Sequence, residues 1–81
     1  MEPGFVCLLN IDANGTTYVA ECPLDVPVGL IAEIGQIVGV VKSVMTVRKN
    51  SPAYHFVAAT VGEIHKVGKV YSPCWNAETY A

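Results

Sequence analysis

Few side chains in this sequence can do chemistry, and they fall near its middle. His55 stands between Tyr54 and Phe56, a short way after Thr46 and Arg48. A histidine titrates near neutral pH and can serve as acid or base, and an arginine close by can hold a carboxylate or phosphate. If 44–60 is a β-hairpin turning at Lys49-Asn50-Ser51-Pro52, His55 lies opposite Thr46 on the face that also carries Arg48. Trp75, with Tyr71 and Tyr80 around it, has the size and polar edge of an anchor in a pocket or interface. His55, Arg48, Thr46 and Trp75 are therefore the candidate ligand-binding residues, and no catalytic residue is assigned.

The other reactive groups have plainer readings. His65, in Glu63-Ile64-His65-Lys66, decorates a surface turn, with only Cys74 as a nearby thiol, so no metal site is expected. Three cysteines without a Cys-x-x-Cys pair indicate neither a disulfide framework nor a zinc ribbon, and Cys7 and Cys22 are expected as buried free thiols. Asn14-Gly15-Thr16 matches a glycosylation sequon, but turn chemistry already explains it. The chain has no phosphate-binding loop, dinucleotide-binding glycine pattern, zinc-protease helix or nucleophile elbow, and no cofactor is expected.

The elements that must position these groups begin with a hairpin whose register is readable. Asn14-Gly15 suits a two-residue type I′ turn between Phe5–Asp12 and Thr16–Cys22. Pairing Ala13 with Thr16 sets Ile11 against Tyr18, Leu9 against Ala20 and Cys7 against Cys22, which makes one face wholly apolar. A slip of one residue would mix the two faces. Next, Leu30, Ile31, Ile34, Ile37, Val38, Val41 and Val44 or Met45 recur at helical spacing behind Asp25 and Pro27, predicting an amphipathic helix over about 27–43. Gly29, Gly35 and Gly39 oppose it, and so does the β preference of Ile and Val. If the segment is not helical, Gln36–Val47 is a long strand and the fold a small barrel. Gly35 and Gly39 also have the spacing that lets a helix pack closely on a neighbour.

In the second hairpin, Val44–Arg48 and Ala53–Thr60 place Met45, Val47, Tyr54 and Phe56 on its apolar face. Thr60 and Glu63 have the spacing of a capping box, predicting a short helical turn ended by Gly68. Lys69–Tyr71 is a short edge strand before an irregular tail. The whole chain, 1–81, is expected as one domain: hairpin 5–22, helix about 27–43, second hairpin 44–60, C-terminal turn and tail 61–81. The fold class is α+β, an antiparallel sheet of four to five strands in ββαββ order packed on one amphipathic helix, with a small all-β barrel as the alternative.

The segment Gly35-Gln36-Ile37-Val38-Gly39 resembles a strand segment of the plasmid-borne type II dihydrofolate reductases, small barrel-like chains that form one active pore per tetramer. The likeness covers five residues and implies the barrel alternative. That family's Val-Gln-Ile-Tyr motif is absent, so its activity is not carried over.

Composition bounds the function. The formal charge of −2 gives no general attraction to nucleic acid or an acidic membrane surface, and neither is expected as a partner. The longest apolar block is too short and too interrupted to span a bilayer, and the acidic start is unlike a signal peptide, so a cytoplasmic location is expected. In a chain of 81 residues, 52% hydrophobic and 15% charged, there is more apolar surface than so small a fold readily hides. The outer face of the predicted sheet keeps Val6, Leu8, Val19, Val44 and Val57. A homo-oligomer, dimer or tetramer, would cover them. The expected function is a non-enzymatic binding module that holds a small molecule or partner protein at a subunit interface. The alternative is a small oligomeric enzyme with His55 as acid or base and Arg48 binding an anionic group.

Overall fold

The computed structural model describes residues 4–72. Its elements are β1 (Phe5–Ala13), β2 (Thr16–Cys22), β3 (Ile31–Ile34), β4 (Ile37–Arg48), α1 (Pro52–Val61), β5 (His65–Lys66) and β6 (Lys69–Tyr71). The six strands form one curled, half-barrel sheet in the order β5-β2-β1-β4-β3-β6. Every neighbouring pair is antiparallel except β2 with β5.

The first hairpin has the register its sequence predicts: Cys7 pairs with Cys22, Leu9 with Ala20, Ile11 with Tyr18 and Ala13 with Thr16. Asn14 and Gly15 both take positive φ, 55° and 84°, as a type I′ turn requires. The apolar face of this hairpin becomes the inner core, where Cys7, Leu9, Ile11, Ala20 and Cys22 meet Ala32, Ile34, Val41, Val70 and Val26 of the loop before β3. Cys7 and Cys22 are buried free thiols.

The helix predicted over 27–43 does not form. Residues 31–34 and 37–48 are strands joined by a two-residue turn, with Gly35 at φ 71°, as suits the first position of a type II′ hairpin. The misleading helical spacing has a definite origin. Ile34 and Ile37 flank that turn and pair with each other, two strand steps carry Ile37 to Val41, and an extra residue at Lys42 then carries Val41 to Val44. Asn10 pairs with Ser43 but Ile11 pairs with Val41, so Lys42 is a bulge that lets Val41 and Val44 both face inward. A turn and a bulge thus reproduce helical spacing in an all-strand segment.

The predicted second hairpin is half right. Val44–Arg48 is strand, but Pro52–Val61 is a helix. Ser51 caps it by accepting a hydrogen bond from the Tyr54 backbone N–H at 3.2 Å, and Pro52 sits in the first turn, where its missing donor costs nothing. Gly62, at φ 83°, ends the helix and donates to the Ala58 carbonyl at 2.9 Å. The capping box expected at Thr60 and Glu63 is also absent: Thr60 lies in the last turn of α1, with its hydroxyl donating to the Phe56 carbonyl. The ββαββ order therefore gives way to ββββαββ with six strands, a sheet-dominated domain with one helix. Among the described residues no helix is long and apolar enough to cross a membrane.

Candidate functional site

Alternation along β1 and β4 sends side chains to two faces, and α1 lies on the outer one. There Val6, Leu8 and Val47 are buried beneath Tyr54, Val57 and Ile64. Inward-facing Val44, Thr46 and Arg48 pair with Leu9, Cys7 and Phe5 of β1. Met45, expected on the apolar face of a second hairpin, faces outward and is half-exposed, and Val44, expected on the outer face, packs inward, because β1 sets Val44 against Leu9.

This topology separates one predicted site residue, His55, from two others, Thr46 and Arg48. Thr46 lies beside the Cys7 thiol, 3.8 Å from it, and Arg48 stacks over the Phe5 ring at 5.0 Å, both on the inner side of β4. His55 is on α1, across the sheet, exposed and edge-on to Tyr54. The expected opposition of Thr46 and His55 depended on the second hairpin and goes with it. Trp75 lies outside the described residues. His65 is also not on a turn: it forms β5 at the sheet edge, half-buried against the Tyr18 ring and 3.7 Å from the Glu63 carboxylate.

What α1 does create is a groove. Where the helix leaves the sheet, a cavity of about 380 Å³ opens between Phe56, Val57, Thr60 and Val61 of α1 and Leu8, Asn10, Val19, Ser43 and Met45 of the sheet. No lining residue is charged. Its polar groups are the Asn10 side-chain amide, which donates to the Ser43 hydroxyl at 2.7 Å, and the Thr60 hydroxyl, which donates to the Phe56 carbonyl. Phe56, on the rim, is 72% exposed, although it is the largest apolar side chain of the helix. Leu8, Val19 and Val57 were legible in the sequence as apolar residues left without cover. Phe56, Val61 and Met45 were not, since each depends on where α1 begins or on which way β4 faces.

Beside the groove, a polar cluster holds α1 in place. Glu21, 8% exposed, accepts from Lys49 Nζ at 2.6 Å through one carboxylate oxygen and from the Tyr54 hydroxyl at 2.5 Å through the other. Burial pushes the Glu21 carboxyl up, but the two hydrogen bonds and the charges of Lys49 and Lys66 outweigh it and hold the group below its ordinary range. The same carboxylate raises Lys49 and Tyr54, chiefly through the hydrogen bonds it accepts. A phenol held in its protonated form is a tether, unsuited to act as a base at neutral pH. Cys7 is likewise no activated nucleophile: burial, opposed by hydrogen bonds from Thr46 and Val26, leaves its thiol raised.

The fold and groove together define a small, sheet-dominated domain with one helix and an uncharged apolar groove beneath it. Compared with protein-family models, curated proteins and solved structures, the chain matches none.

Proposed function

We propose that this chain is a small cytoplasmic, homo-oligomeric binding module that holds an uncharged, largely apolar small molecule or partner side chain in the groove between α1 and the outer face of the sheet. The observation that carries the reading is the groove itself: concave, lined by Leu8, Val19, Met45, Phe56, Val57 and Val61, with polar side chains at Asn10, Ser43 and Thr60 able to orient a ligand. Its size falls at the small end of ligand pockets, roughly 300–1,000 Å³. The enzyme alternative loses its main support, because His55 and Arg48 lie on opposite faces of the sheet.

A native mass spectrum of the protein as purified tests the proposal. The expected result is a closed oligomer carrying additional, reproducible mass. A bare monomer that also takes up no apolar probe, such as an aminonaphthalene sulfonate dye, would remove both parts of the reading.

A further inference from the structure

We infer that the groove is a self-association site in which Phe56 of each of two copies inserts into the groove of the other about a two-fold axis. The inference deepens the proposed oligomeric binding module by naming its interface, and it rests on the groove being a binding surface.

Three observations select a second copy as the occupant. First, α1, with the sequence Pro-Ala-Tyr-His-Phe-Val-Ala-Ala-Thr-Val, has no Asp, Glu, Lys or Arg and no buried residue. A surface helix of a monomer ordinarily turns a charged face to water, and this one turns the apolar side chains of Phe56 and Val61 there instead. Second, the protruding side chain and the cavity adjoin on one patch. An exchange in which each copy gives what it receives closes at two chains, whereas a knob and hole on distant surfaces would propagate into a filament. Third, a two-fold axis sets a charge beside its own twin when the charge lies close to the axis. The chain carries net −2, and this patch brings no carboxylates, lysines or arginines together, because neither the groove lining nor α1 has an Asp, Glu, Lys or Arg.

The dimensions agree. An apolar cavity of roughly 150 Å³ accommodates a benzene ring. The groove, at about 380 Å³, thus takes a partner's phenyl ring and leaves space for a small ligand at the same interface. The exposed parts of Phe56, Met45 and Val61 come to roughly 300 Å² per copy, taking on the order of 200 Å² for a large side chain. A standard interface buries about 800 Å² per partner, so the dimer is a weak one that dissociates on dilution.

Sedimentation velocity from low to high micromolar concentration tests this, on the wild-type chain and on Phe56→Asp, Met45→Arg and Val38→Asp. Val38 is an exposed apolar residue on β4 outside the groove and serves as control. Circular dichroism reports whether each variant folds, and Phe56 is exposed enough that its replacement leaves the fold intact. The wild type and Val38→Asp are expected to dimerise as concentration rises, and Phe56→Asp and Met45→Arg each to weaken dimerisation at least ~30-fold. A folded Phe56→Asp that dimerises like the wild type overturns the inference while leaving an oligomeric module standing. A wild type that stays monomeric yet carries retained ligand overturns it while leaving the groove as a ligand site.

Discussion

Two residues in this fold have environments that leave little freedom. Gly39 lies on β4 where the strand crosses close to β1 beside the bulge, and a Cβ there would meet the Asp12 carbonyl oxygen at 2.6 Å and the Ile11 side chain at 2.7 Å. Backbone and a fully buried side chain cannot both give way, so Gly39→Ala is expected to cost about 1–3 kcal/mol, as overpacking does. Urea denaturation measures it, and a change within error of zero would mean that β1 and β4 can part here. Glu21 is the other. Its carboxyl lies below its ordinary range in the folded chain, so its contribution to stability is complete above the unfolded value of about 4.3 and is lost as pH falls through the lower folded one. Lys49 and Tyr54 are raised, so theirs is complete below their unfolded values and lost as pH rises through the folded ones. Lys49 is 41% exposed, and solvent screens its share. Glu21→Gln is expected to flatten the acid side of the stability profile, followed by urea midpoints across pH. An unchanged acid slope would assign acid sensitivity to another group.

At the scale of elements, α1 is held by its first turn and one edge. Its first turn has the Ser51 cap and the Tyr54 tether to Glu21, its underside has Tyr54 and Val57 on Val6, Leu8 and Val47, and its far end stands away from the sheet over the groove. Removing the cap by Ser51→Ala should cost about 0.5–2 kcal/mol. Because the helix has no buried residue, that loss is expected to appear as faster amide exchange throughout α1 and little change in β1 and β4. Uniform acceleration across all elements would instead mean that the helix and sheet open together. The Ser-Pro start and Gly stop of this helix are present in the sequence, at Ser51-Pro52 and Gly62, but the aromatic and β-branched run between them also suits a strand. The first hairpin had no such competitor, since Asn14-Gly15 and strict alternation on both sides agree.

For the whole molecule, the sheet's two faces have unequal cover. The inner face closes over Leu9, Ile11, Val41 and Val70, while the outer face has one short helix and leaves Met45, Phe56 and Val61 in solvent. If a second copy supplies the missing cover, stability includes the association free energy, and the thermal midpoint should rise with protein concentration. A midpoint constant over two decades of concentration would place all of the stability within one chain.

Read alone, the sequence determined the first hairpin, its register, the core face it contributes, the free buried thiols and an apolar surplus. Those depend on turn chemistry and period-two alternation between near neighbours, both local. Only the tertiary structure decided that 31–48 is a hairpin and 52–61 a helix. The spacing of Ile34, Ile37, Val41 and Val44 is the same for a helix as for strands with a turn and a bulge, and pairing with β1 is what selects the second. The position of the groove followed from that choice. It set Met45 and Phe56 on the outer face and parted His55 from Thr46 and Arg48, because a side chain's face in a strand depends on every residue inserted before it.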